Sequence, residues 1–225
     1  MEKQQGDVRQ VVTIDGPAAS GKSSVAREVA RRLEIPFVSS GLLYRLATYL
    51  VLRAEVDRDD EGAVLGCLRA HAVRLEPSTA HGNRVFLDDA DVTDQLHTDT
   101  VDTNVSQVAR HPEVRRWANQ RLREMTGRFV VEGRDMGRVV FPEAAYKFYL
   151  FAAPEVRAER RAKERDADVG AIAARLRARD EADQKQLEPP PDAVYIDTSD
   201  LGIDEVVATV ITHIQATRTA FSDRT

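Results

Sequence analysis

The stretch "VVTIDGPAASGKSSVAREVARRL", residues 11–33, decides the fold. Its first five residues are a short β-branched run that stops at Gly-Pro and reads as a buried strand. From Lys22 onward, Val25, Ala26, Val29, Ala30 and Leu33 recur at helical spacing. Between strand and helix lies the pattern G-x-x-x-x-G-K-S, with Gly16, Gly21, Lys22 and Ser23 at its fixed places. That order is the context a phosphate-binding loop requires. Its glycines let the backbone through Gly16, Pro17, Ala18, Ala19, Ser20, Gly21, Lys22, Ser23 and Ser24 turn its N–H groups, which all but Pro17 carry, toward one point, and the helix adds its positive end. Lys22 has the reach for β and γ phosphates, and the Ser23 hydroxyl suits Mg²⁺. The loop is expected to hold a nucleoside triphosphate, and it leaves the acceptor open.

Downstream, "PFVSS" (36–40) reads as a second strand and "GLLYRLATYLVLR" (41–53) as a helix, giving an α/β unit on a parallel sheet. The rhythm breaks at 73–93, where two strand-like runs flank "STAHGN" and suggest a small antiparallel insertion. Two helices follow, one carrying Val101, Val105, Val108 and Ala109. The other has Pro112 in first position and carries Val114, Ala118, Leu122 and Met125. "RFVVEGRD" (128–135), "KFYLFA" (147–152) and "AVYIDT" (193–198) read as further core strands. An Arg-rich helical stretch from Pro154 to about Lys185 breaks near "RDADVG" (165–170). The last helix carries Val206, Val207, Val210, Ile211 and Ile214, ahead of a polar tail expected to fray.

Bulk properties narrow the class. The chain has 225 residues, 42% of them apolar, enough for one substantial core. A net charge of −5 argues against a non-specific nucleic-acid binder. The opening "MEKQQGDVRQ" lacks the apolar run of a signal peptide, and no stretch approaches the ~20 apolar residues of a membrane helix. Cys67, the sole cysteine, leaves no intramolecular disulfide and no Cys-based metal cluster. The five histidines are scattered without metal-ligand spacing, and Trp117 reads as core. A soluble, cytoplasmic protein is expected.

Candidate acceptor residues sit where α/β sheets place ligands, at the carboxyl ends of strands. In "SSGLLYR" (39–45), Ser40 and Gly41 start a helix, and Arg45, one turn in, suits an anion; the spacing fits a solvated helix arginine equally. "EGRDMG" (132–137) sets Arg134 and Asp135 at the lip of the sheet, either as a structural ion pair or with both facing a ligand. The arginines between 154 and 185 fit a solvated helix face, or a mobile arm bringing cations to a travelling phosphoryl group. There is no N-K-x-D segment to read guanine, which argues against a GTPase switch.

Taken together, "TIDGPAASGKSSVA", "SSGLLYR", "VSQVARHPEVR", "VEGRDMGRVVFPEA", "RAERRAKE" and "RDEADQK" resemble the bacterial cytidylate kinase family over about residues 11–214. The resemblance implies a P-loop nucleoside monophosphate kinase fold: a five-stranded parallel core sheet with helices on both faces, a small antiparallel insertion in the acceptor arm, and a helical lid. It implies one kinase domain, with core at about 9–39, 127–153 and 188–215, the arm at about 40–126, and the lid at about 154–187. It implies ATP and Mg²⁺, with CMP and dCMP as acceptors; nothing in the sequence demands an oligomer, and a monomer acting on small molecules, without nucleic acid or membrane, is expected. Ser40, Arg45 and Arg134 are then acceptor-phosphate ligands; Ser106, Arg115 and Asp135 read cytosine; Arg179 and Asp183 contact the ribose. Arg157 and Arg161 are lid arginines, and Lys22, Arg134, Arg157 and Arg161 form the catalytic set. Two places depart from the family pattern: Ser39 stands where many members carry Asp, and Gln186 where many carry Arg. The alternatives are a kinase of the same architecture acting on UMP, AMP or shikimate, and a nucleotide-state switch without an acceptor.

Overall fold

Five strands whose side chains alternate between two apolar layers form the central sheet. The computed structural model describes residues 10–78, 82–165 and 168–222. The strands are β1 (Val12–Asp15), β2 (Phe37–Ser39), β6 (Val130–Gly133), β7 (Tyr146–Phe151) and β8 (Val194–Asp197). They run parallel in the order β2-β6-β1-β7-β8. Val12, Ile14, Phe37, Val130, Phe148 and Leu150 point to one layer, covered by α1 (Lys22–Leu33) and α8 (Ile203–Ser222). Val38 and Val131 point the other way, into a larger core built with α2 (Gly41–Arg53), α3 (Glu61–Arg69), α4 (Asp99–Ala109) and α5 (Pro112–Arg123). Trp117 is buried there.

A three-stranded antiparallel sheet follows α3, with β3 (Val73–Glu76), β4 (Arg84–Leu87) and β5 (Ala90–Asp91) in sequence order. Two of these strands are visible in the sequence. The third is only two residues long, too short to show an alternating pattern. Helix α3 also lacks a sequence expectation: its buried face is just Val64 and Leu68, and Gly62 and Gly66 dilute its helical signal. Met125 lies beyond α5, which stops at Arg123. Helix α8 continues into the polar tail, as far as Ser222. The first nine residues, His81 and part of the "RDADVG" break lie outside the described residues.

Helices α6 (Pro154–Arg165) and α7 (Val169–Ala182) pack on each other and form a third, small cluster. Ala158, Ala162, Ile172 and Leu176 enclose Ala18 of the Gly-rich loop. No helix among the described residues is long and apolar enough to cross a membrane.

Two glycines illustrate how tightly the loop is built. Gly16 has φ +151°, and a Cβ there would lie 2.1 Å from the Leu150 carbonyl oxygen of β7. Gly66, inside α3, has open space where a Cβ would stand. Gly66→Ala is expected to raise the unfolding free energy by about 0.5–1 kcal/mol through helix propensity. Gly16→Ala is expected to lower it by roughly 2 kcal/mol or more, because strand or loop must shift. Urea denaturation of both variants checks the pair, and equal responses would contradict this picture of the loop.

Candidate active site

The carboxyl ends of β1 and β6 lie side by side, in register at Asp15 and Gly133. The Gly-rich loop leaves one strand, and the turn carrying Arg134 and Asp135 leaves the other. Asp15, fully buried, binds them together: its carboxylate accepts the backbone N–H groups of Met136 and Gly137, each at 2.8 Å. Burial pushes its pKa up to about 7, against those two bonds, which favour the ionised form. The following turn, Met136–Val140, is a single π-type turn that closes on the Asp135 carbonyl.

A cleft of about 480 Å³ opens above these strand ends. Seven lysine and arginine residues line it against four aspartates and glutamates, although the whole chain is acidic. An excess of cations in a concave wall suits phosphate.

Lys22 begins α1 and donates to the Pro17 carbonyl at 3.1 Å; Gly21, left-handed at φ 87°, precedes the helix. Glu132 Oε2 lies 4.0 Å from the Lys22 ammonium. Burial lowers the Lys22 pKa to about 8, and Glu132 opposes the fall. Ser23 and Ser24 are both exposed, and of the two Ser23 lines the cleft.

Across the cleft, Ser40 caps the start of α2 with its N–H on the Glu132 carbonyl at 3.2 Å. A side chain at Gly133 would strike its hydroxyl, with Cβ only 2.6 Å from Ser40 Oγ. Arg45 donates to the Leu96 carbonyl at 2.9 Å and pairs with Asp102. It is therefore a wall residue with a fixed guanidinium, not a solvated helix arginine. Ser106 of α4 lines the same wall.

Arg134 and Asp135 do not pair with each other. Arg115 Nη2 meets Asp135 Oδ2 at 2.7 Å, with Asp135 buried and Arg115 half-buried, and the Arg115 guanidinium lies over the Tyr44 ring at 5.2 Å. Arg134 Nε donates to Asp183 at 2.6 Å, and its Nη2 is buried without a partner. Arg179 stands 3.8 Å from the same carboxylate. Burial, reinforced by Arg134, lowers its pKa to about 10. Two crowded guanidiniums sharing one carboxylate leave positive charge for an anion to neutralise.

The lid arginines divide. Arg161 lines the cleft. Arg157 is buried beneath it, donating to the Ala18 and Ala152 carbonyls at 3.2 Å and pairing with Asp180 at 2.7 Å. It fastens α6 and α7 to the Gly-rich loop instead of facing the cleft. Gln186 lies in a separate groove with Lys185, on the far side of the Arg115–Asp135 pair.

Glu132, Tyr44 and Asn83 also line the cleft and carry no sequence expectation. Glu132 sits within the quoted "EGRDMG"; its position as the penultimate residue of a strand beside β1 was the available signal. The Tyr44 hydroxyl is buried without a partner, and burial raises its pKa to about 12. Ser39, at one departure from the family pattern, donates its hydroxyl to Glu132 at 2.6 Å.

A magnesium ion fits this wall as a hydrated ion held largely by phosphate. The Ser23 hydroxyl and Glu132 carboxylate line the cleft, and no cluster of three or more His, Cys, Asp or Glu residues among the described residues forms an all-protein cage.

The cytidylate kinase family model matches residues 12–216. A cytidylate kinase of Thermus thermophilus is 56% identical over 208 residues, which cover 92% of this chain and 100% of that protein. A cytidylate kinase of Deinococcus radiodurans is 55% identical, covering 91% and 98%. One of Geobacillus kaustophilus is 40% identical, covering 89% and 94%.

The buried lysine has a measurable consequence. Its folded pKa of about 8 lies below the ordinary 10.5, so the unliganded charged form costs about 3 kcal/mol at roughly 1.4 kcal/mol per pH unit. That cost is full below pH 8 and is relieved as pH rises from about 8 toward 10.5, where the unfolded chain binds more protons. The stability of Lys22→Met minus that of the wild type is therefore expected to stay level up to about pH 8 and to fall between about pH 8 and pH 10.5. Urea curves at each pH check this, and a flat difference would contradict it.

Proposed function

We infer the activity from membership and geometry together: the chain belongs to the cytidylate kinase family, and we propose that it transfers the γ-phosphoryl group of ATP to CMP or dCMP, releasing ADP and CDP or dCDP. The observation that carries the acceptor assignment is the Arg115–Asp135 pair in the same cleft that Ala18, Lys22 and Ser23 of the Gly-rich segment line.

Cytosine presents an amino donor at N4 and acceptors at N3 and O2. The Asp135 carboxylate accepts from N4, while Arg115 donates to the ring acceptors. Uracil would turn its O4 toward the carboxylate and leave buried groups unpaired, a mismatch worth several kcal/mol. Ser106 completes the base site. Ser40, Arg45 and Arg134 hold the acceptor phosphate, and Arg179 and Asp183 hold the ribose. The arrangement of Arg45 against Asp102 and Leu96 supports this, because the guanidinium is oriented before substrate arrives.

In the transfer, an anionic oxygen of the acceptor phosphate forms the new bond to the γ-phosphorus. The bond to the β–γ bridging oxygen breaks, and its electron pair leaves with ADP. The attacking oxygen carries no proton, so no general base is required. Lys22, Arg134 and Arg161 neutralise charge on the travelling group, and the loop N–H groups from Gly16 to Ser24 hold the donor. Magnesium, when bound, would be held beside Ser23 and would supply further charge neutralisation. Arg157 keeps the lid arginine registered against the loop. The core, arm (about 40–126) and lid (about 154–187) act as three parts of one domain, closing to exclude water. It acts as a monomer on small molecules, without nucleic acid or membrane. The other groove beside the Arg115–Asp135 pair supports no competing reading.

ADP release measured side by side with CMP, dCMP, UMP and AMP tests the assignment. CMP and dCMP are expected to exceed UMP in kcat/KM by about 10²-fold or more. Asp135→Ala is expected to lower kcat/KM for CMP by 10²- to 10³-fold, roughly 3–4 kcal/mol, while the Kd for ATP stays within about threefold. Equal use of AMP or UMP by the wild type would remove the cytosine assignment, and unchanged CMP kinetics would remove Asp135 from the base site.

A further inference from the structure

We propose that Asn83, on the antiparallel insertion, is a positioning residue for the acceptor phosphate: its carboxamide completes the open edge of β2 and so fixes Ser39 and Ser40 at the cleft. The inference rests on the acceptor reading above.

Strand β2 pairs with β6 on one side only and is an edge strand of the central sheet. An open edge presents backbone groups that need partners. Here the insertion supplies them. Asn83 is buried at 6% exposure, and its Oδ1 accepts the Ser39 N–H at 2.6 Å while its Nδ2 donates to the Phe37 carbonyl at 2.6 Å. One side-chain amide thus stands in for a peptide unit of a neighbouring strand. Just before it, the Ser78 carbonyl accepts from the Phe37 N–H at 3.4 Å, a longer contact.

The clamped residues lie at the cleft. Ser39 donates its hydroxyl to Glu132, which faces Lys22, and Ser40 follows one peptide later at the start of α2. Asn83 itself lines the cleft. Its other attachments belong to the arm. It directly precedes β4, whose Val85 N–H is accepted by the Thr93 hydroxyl, close in sequence to the Leu96 carbonyl that orients Arg45. The acceptor phosphate needs Ser40 from the core side and Arg45 from the arm side. Asn83 is the direct side-chain tie between those two sides at the strand edge, so removing it loosens their separation while leaving the donor loop intact.

A purely structural amide would affect stability without distinguishing the substrates. Steady-state kinetics of wild type, Asn83→Ala and Asn83→Asp with CMP and ATP, alongside thermal unfolding, separates the two roles. Loss of two neutral hydrogen bonds is expected to raise KM for CMP about tenfold in Asn83→Ala. KM for ATP and kcat at saturating CMP are expected to stay within about threefold, since the donor loop is untouched. Asn83→Asp, nearly isosteric, keeps an acceptor for Ser39 but sets an oxygen against the Phe37 carbonyl. It too is expected to raise KM for CMP, and it carries the test if the alanine variant does not fold. A lowered melting temperature with unchanged KM for CMP in the variants, or KM for ATP rising in parallel, would overturn the inference. Failure of the wild type to phosphorylate CMP would instead remove the acceptor reading, and it is seen before any variant is compared.

Discussion

The Asp15 carboxylate, buried between two strand ends, is the interaction on which the site depends. It closes β1, the strand that launches the donor loop, and it holds the backbone of Met136 and Gly137 just after the acceptor turn. Donor and acceptor machinery are thus fixed to each other by two short hydrogen bonds and a common register, with no flexible segment between them. A phosphoryl transfer that depends on positioning, not on proton abstraction, gains most from this rigidity. The cost is a carboxylate without solvent, visible in its raised pKa.

The charges around it follow the same economy. Lys22, Arg134 and Arg179 are buried or crowded enough that their charged forms are incompletely compensated before ligand binds. On the proposed reading, a triphosphate or acceptor phosphate supplies the compensating anions. At the proposed base site the charges are paired: Arg115 with Asp135. Arg157 serves neither purpose directly. Its three contacts tie α6 and α7 to the loop, on the helix pair that also brings Arg161 to the cleft.

Much of this was legible in the sequence, because the strongest signals are local. The Gly-rich loop, the five strands and Pro112 at the start of α5 each follow from short-range patterns, and they appear where the patterns place them. Helix α3 and the two-residue β5 were not legible, since neither buries enough side chains to leave a period. Site chemistry divides in the same way. That Arg134 and Asp135 belong to a site follows from their place after a strand; that each pairs with a residue 49 or 20 positions away does not. Asn83 reads as a turn residue in the sequence, and only the folding of the insertion onto β2 gives its amide two backbone partners.

The central claim is that a preformed Arg115–Asp135 pair selects cytosine before any chemistry occurs. Calorimetric titration of the protein with CMP and with UMP, without ATP, tests it most directly. The account predicts that CMP binds about 10²-fold more tightly than UMP and that Asp135→Ala removes the difference. Equal Kd values for the two nucleotides on the wild-type protein would contradict it.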